Sequence, residues 1–393
     1  MSNNSKTLQA SFFVLIALTG GLAILSSTMS KTPVLPLFAA SLGASPTEIG
    51  WIVIASTIPG ILVSFPAGAL SDFLGHRRVL LASLAVFATA PFLYLFVDNA
   101  WQLMAVRFYH GFATAIFGTV ATAAIAERYS TDRAARLSTY SSVTIVGRSV
   151  APFLGGALIS MANFGAVYIA CAVSGVLALA AGSLLRDAAP RPKPKLELPH
   201  FRKSLVTVLQ DRGIMLVSLV EAAQYLVFGA IEAFLALFAA SLGIPAWQIG
   251  IILGVQLVSI VFMKPLMGRV SDRLGRKQVI VPGLLVGAAS VALLPFLPNF
   301  PGLSVLSLVF GLGFATVTSS TAALVADLTR NGRFGSSMGV LRTVMDVGQS
   351  IGPVLTGWMV ANAGYDDAFL LLATILAAAA ALIGVGLGGR LKN

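Results

Sequence analysis

Eight ionisable side chains stand inside long apolar stretches of the chain. Lys31, Arg107, Arg148, Lys264 and Arg342 are basic; Glu221, Glu232 and Asp346 are acidic. A charge in such surroundings is costly unless it is paired or wet, so each is a candidate for function. A carboxyl group in a partly aqueous interior can be poised between its protonation states and carry a proton. A guanidinium can hold a carboxylate or phosphate through two parallel hydrogen bonds. On that chemistry Glu221, Glu232 and Asp346 are expected to couple protons. Arg148, Lys31, Arg107 and Arg342, with Tyr225, Gln224 and Gln349, are expected to meet the substrate. Glu221, Tyr225, Phe228 and Glu232 follow i, i+4, i+7, i+11 spacing on one helical face, with Gln224 beside it. Arg342, Asp346 and Gln349 share a second face, on which the first two can pair along the helix. Arg148 projects about 100° round its helix from Gly147 and is expected to point into a central cavity. Lys264, close to a polar loop, is read as snorkelling toward the interface. The surplus of basic groups favours a substrate that carries a carboxylate or phosphate.

Other chemistries are not spelled out. His76, His110 and His200 are scattered, no His/Cys/Asp/Glu cluster has metal-ligand spacing, and no Gly-Lys-Ser/Thr phosphate loop occurs. Neither an enzyme, a metal nor a cofactor is expected, so any transport has to draw on an ion or substrate gradient. Cys171 is the single cysteine and has no partner for an intrachain disulfide.

The elements that position these groups follow from composition. The 393 residues are 57% hydrophobic and 10% charged, against roughly a quarter charged in a soluble domain. Apolar runs long enough to cross a hydrocarbon core of ~30 Å recur from end to end. They must be helices, because lipid offers no partner to an unpaired backbone amide. The first half reads as spans at 11–41, 47–70, 79–97, 102–126, 134–161 and 165–186. The second reads as spans at 214–241, 247–270, 279–297, 302–326, 335–361 and 366–388. The stretch Ser11 to Ser30 lacks a convincing cleavage site and is taken as the first span. Lys and Arg collect in every second polar break, around Arg77, Arg128, the stretch 186–212, Arg269, Arg330 and Arg390, and are missing from the breaks between. The positive-inside rule then places both termini in the cytoplasm of a multi-pass protein of the cell (inner) membrane. The net charge of +11 is thus a topology signal and not a sign of nucleic acid.

The chain repeats itself. Leu37 to Gly43 reappears unchanged as Leu237 to Gly243, and the same offset carries Ile49-Gly50 onto Ile249-Gly250, Ser71-Asp72 onto Ser271-Asp272 and Leu74-Gly75 onto Leu274-Gly275. Gly147, Pro152 and Gly156 match Gly348, Pro353 and Gly357 with one residue of slip. A six-helix bundle over 1–186, a cytoplasmic linker over 187–213 rich in proline (Pro190, Pro192, Pro194, Pro199) and a second bundle over 214–393 are expected. An even number of spans per half leaves both copies in one orientation, with a substrate site near the midplane.

Gly68-Ala69-Leu70-Ser71-Asp72-Phe73-Leu74-Gly75-His76-Arg77-Arg78 and Gly268-Arg269-Val270-Ser271-Asp272-Arg273-Leu274-Gly275-Arg276-Lys277 resemble the loop between spans 2 and 3 of the major facilitator superfamily. The resemblance implies a gate built on Gly68, Asp72, Gly75 and Arg77, and on Gly268, Asp272, Gly275 and Arg276. The first copy departs from the pattern at Phe73 and His76. Arg107-Phe108-Tyr109-His110-Gly111 is similar to the family's span-4 element linked to proton coupling. Gly147-Arg148-Ser149-Val150-Ala151-Pro152-Phe153-Leu154-Gly155-Gly156 looks like the signature of the drug–proton antiporter branch, with Ala151 in place of a glycine. Gly147, Ala151 and Gly155 also make a smooth face for close helix packing, which accounts for the small residues without any antiport. Spans 1 to 6 hold no deep carboxylate, so the N-half proton carrier usual in that branch is missing.

The expectation is therefore an all-α membrane protein of twelve transmembrane helices in two six-helix bundles, working as a single chain in the lipid bilayer. It is expected to export a small organic compound against protons by alternating access. Uptake or exchange of an organic anion is one alternative, and a membrane sensor or scaffold without transport is another.

Overall fold

The computed structural model describes residues 3–60, 63, 71, 74–129, 132–185, 207–329 and 334–386. Gly68, Asp72 and most of the expected linker lie outside them.

With no water to satisfy their amides, apolar segments close their hydrogen bonds internally, and the described chain is helical almost throughout. The helices are α1 (Asn3–Met29), α2 (Val34–Ser41), α3 (Pro46–Ala55), α4 (His76–Leu93), α5 (Ala100–Arg128), α6 (Arg133–Met161), α7 (Phe164–Ser183), α8 (Arg212–Ser241), α9 (Ala246–Leu274), α10 (Arg276–Ala292), α11 (Phe300–Leu328) and α12 (Phe334–Gly386). Among the described residues, ten helical stretches are long and apolar enough to cross a membrane. The expected spans 335–361 and 366–388 run together as α12, broken only at Gly364, whose φ of 89° interrupts the helix. The expected span 47–70 lies partly outside the described residues.

The polar breaks are where helices are capped. Asn99 accepts from the Gln102 amide at 3.0 Å and Asn299 from the Gly302 amide at 2.8 Å, so α5 and α11 start at matching places. Ser45 and Glu48 form a reciprocal capping box at α3. Gly75 (φ 88°) and Gly275 (φ 99°) precede α4 and α10 in a backbone conformation that only glycine adopts readily.

Two compact units result: Met1–Pro192 with Pro245–Gly250, and Lys193–Ile244 with Ile251–Asn393. In the first, α1 packs on α6 and α7, and α4 on α5 and α7, around Ile16, Leu84, Phe87, Phe117 and Ile125. In the second, α8 packs on α11 and α12, and α10 on α11 and α12, with Phe234, Leu284, Phe369 and Leu376 buried. Close crossings rest on glycine. A Cβ at Gly111 would strike the Ser56 backbone, and one at Gly311 would lie 2.6 Å from the Gln256 carbonyl oxygen. The face of Gly147 and Gly155 is used in the same way: a Cβ on either would lie 2.8 Å from the Gly21 carbonyl oxygen and 3.0 Å from Val34, respectively.

Candidate functional site

Three clusters of polar side chains stand out, one in each unit and a third that occurs in both. In the second unit, Glu221 on α8 is 3% exposed and hydrogen-bonded to the Thr321 hydroxyl of α11. Thr321 also reaches the Val317 carbonyl at 2.9 Å. One hydroxyl hydrogen cannot fully serve both acceptors. One turn along α8, Gln224 is wholly buried, and neither polar atom of its amide has a hydrogen-bond partner. Aromatic rings close the flank: Tyr225 meets Phe314 edge-on at 5.0 Å, and Phe228 meets Phe314 at 4.5 Å. The exposed Lys264 acts on Glu221 electrostatically. Helical spacing singles out Glu221, Gln224, Tyr225 and Phe228. Thr321 and Phe314, a neutral hydroxyl and a ring on another helix, carry no such signal.

In the first unit, Arg107 on α5 is 4% exposed. Its guanidinium donates to the Ser56 hydroxyl at 2.6 Å and to the Tyr94 hydroxyl at 3.4 Å. Tyr94 lies 3.2 Å from His110 Nδ1 and stacks on Tyr168, ring centroids 4.4 Å apart. His110, one of three scattered histidines in the sequence, is thus brought against Arg107 by one turn of α5. Among the described residues no carboxylate pairs with Arg107.

The third cluster occurs in both units. His76 bridges Ser71 (3.2 Å) and Glu127 (2.6 Å), and Arg276 bridges Ser271 (3.4 Å) and Asp327 (3.0 Å) while also pairing with Asp272. Arg77 donates to the carbonyls of Leu185 (2.6 Å) and Ser183 (2.9 Å), at the end of α7. Lys277 likewise donates to the Gly384 carbonyl of α12 at 2.5 Å. These cations thus satisfy helix C-termini, where carbonyls lack partners. Glu127 and Asp327 escape a reading of the loop motif alone, although the repeat offset aligns them. Gly268 is not a close-packing glycine: a Cβ there would meet open space.

The remaining candidates are dispersed. Arg148 is exposed, with no hydrogen bond or ion pair to a described residue. Lys31, Glu232, Asp346 and Gln349 are half-buried. Arg342 is exposed, and the ion pair that its spacing from Asp346 permits is not formed.

Comparison with known proteins assigns this architecture. The sequence model of the Major Facilitator Superfamily matches residues 16–245 and 217–388, and the chain belongs to that superfamily. It is 23% identical to an uncharacterized MFS-type transporter of Methanocaldococcus jannaschii, over 83% of this chain and 86% of that one. It is 23% identical to multidrug resistance protein MdtG of Escherichia fergusonii, over 88% of this chain and 86% of that one. The fold matches the crystal structure of the nucleoside transporter NupG (D323A mutant) with a TM-score of 0.83 at 14% identity, over 95% of this chain and 99% of that one.

Proposed function

We propose that this member of the major facilitator superfamily is a proton-driven exporter of a small organic compound, with Glu221 as its principal proton carrier. The observation that carries the reading is the buried carboxyl of Glu221 against Thr321. When Glu221 is ionised, the Thr321 hydroxyl donates to it. When Glu221 is protonated, it donates to the Thr321 oxygen and the hydroxyl hydrogen turns to the Val317 carbonyl. Both protonation states are therefore hydrogen-bonded, which a group that takes up and releases a proton in a buried place requires. Glu232 and Asp346 are the secondary carriers. Substrate contacts are assigned to Tyr225 and Gln224, which flank the carboxyl, and to Arg148, Lys31, Arg107, Arg342 and Gln349. Twelve spans in two bundles, with both termini cytoplasmic, rock about the site in alternating access. Export is supported by the likeness to a protein named for multidrug resistance.

The test is proton flux in proteoliposomes under a pH gradient, screened with anionic, neutral and cationic compounds. Wild type should concentrate at least one class of compound, and Glu221→Gln should exchange it without concentrating it. A Glu221→Gln protein that still concentrates the compound would overturn the assignment. Uptake or exchange of an organic anion is the second reading, favoured by the lack of a carboxylate partner for Arg107 among the described residues.

A further inference from the structure

Among the described residues no carboxylate balances the charge of Arg107. A guanidinium stays protonated in proteins, and a buried cation without a counter-ion is strongly unfavourable. Its partners, Ser56 and Tyr94, are neutral. The hydrogen-bond directions go further. Because Arg107 can only donate, the Tyr94 oxygen is its acceptor. Tyr94 then directs its own hydrogen to His110 Nδ1. The remaining nitrogen of a neutral His110, Nε2, must carry the ring's hydrogen. That N–H is buried without a partner, and so are the Arg107 Nε–H and the Tyr168 hydroxyl. Among the described residues, three donors on α5 and α7 are thus left without an acceptor, next to a positive charge that no carboxylate meets.

The second unit provides a control. By the repeat offset, Ser56, Tyr94, Arg107 and His110 correspond to Gln256, Leu294, Ser307 and Phe310. Three of these, Leu294, Ser307 and Phe310, line one narrow and largely apolar crevice. The same helical framework is therefore built without charge in the other copy, and the packing of the fold does not call for the arginine.

We propose that Arg107, His110 and Tyr168 form a binding site for a small monovalent anion, of halide or carboxylate character. The anion supplies the acceptor that the three donors lack and neutralises the guanidinium. It comes either from solution, as an inorganic ion, or from the carboxylate of a transported compound. The inference rests on the reading of Arg107 as a ligand-binding residue, but not on the direction or coupling of transport.

The experiment is thermal unfolding of the purified full chain in detergent, at fixed ionic strength, with gluconate replaced stepwise by chloride, bromide, formate or benzoate. A saturable rise in Tm is expected for the small anions in wild type. His110→Phe, which installs the residue of the second copy, should raise the half-saturating concentration about tenfold, and Tyr168→Phe should raise it less. A response to halides identifies an inorganic ion; a response to carboxylates alone identifies the substrate group. Bromide-soaked crystals should show anomalous density beside Arg107. No saturable shift with any anion, or an equal shift in wild type, His110→Phe and Arg107→Gln, would overturn the site. Proton-driven export measured in gluconate is read separately. A protein that exports without an anion response loses only this site, and one that responds without exporting loses only the export reading.

Discussion

At position 107 of the first unit stands a buried arginine; at the matching position of the second stands Ser307, and the neighbouring His110 becomes Phe310. The contrast reverses at another pair of matching sites, where the first unit has Gly21 and the second has the buried acid Glu221. Yet the scaffolds around them agree in detail. Both units cap a long helix with asparagine, at 99 and 299. Both place a positive-φ glycine before the preceding helix, at 75 and 275, and both cross helices at a glycine, 111 or 311, against residue 56 or 256. The repeat thus conserves the geometry that lets helices approach and turn, while each copy carries its own charge. The first copy has its buried charge as a cation, proposed to hold an anion, and the second as a carboxyl group, proposed to exchange a proton.

The largest expected effect tests that division of labour. Glu221→Gln should abolish concentration of substrate by a pH gradient yet leave exchange. The Glu232→Gln and Asp346→Asn variants should retain some gradient-driven transport, read by proton flux in proteoliposomes. If Glu221→Gln is silent while Asp346→Asn abolishes coupling, the acid that matters is not the one buried in the second unit.

Next comes the shared geometry. Gly111→Ala and Gly311→Ala should each destabilise the chain by ~1–3 kcal/mol through overpacking, because both side chains would strike the backbone of the opposing helix. Thermal unfolding in detergent checks this. A large loss at one site with none at the other would show that the two crossings are not equivalent.

A smaller effect is expected where the copies differ in the loop before α4 and α10. Arg276→Ala removes partly exposed ion pairs, worth ~0.2–1 kcal/mol. His76→Ala removes the bridge between Ser71 and Glu127 and should cost no more than that. Melting curves on the two variants decide it, and a much larger loss at His76 would show that the first loop is held more tightly than the second. Last, Gly268→Ala should change stability by less than ~0.5 kcal/mol, because open space awaits the methyl group; a large loss would place another segment against it.

Much of this architecture is legible in the one-dimensional chain. Hydropathy alone decides which segments must enter lipid as helices, because the cost of exposing backbone or charge there does not depend on what the segment packs against. The repeat offset aligns the two copies, and helical spacing places Glu221, Gln224, Tyr225 and Phe228 on one face. The tertiary structure alone settles which neutral groups meet the charges. Thr321 reaches Glu221 across 100 residues of sequence, Ser56 reaches Arg107 across 51, and Phe314 closes on Tyr225 from another helix. Such partners are set by the rotation and crossing of packed helices. A threonine, a serine or a phenylalanine is equally at home elsewhere in an apolar span, so neither its type nor its spacing announces the contact. The same reason explains Arg342 and Asp346, whose i, i+4 spacing permits an ion pair that the packed structure does not make. Lipid selects the helices from composition; only their packing selects the chemistry at each buried charge.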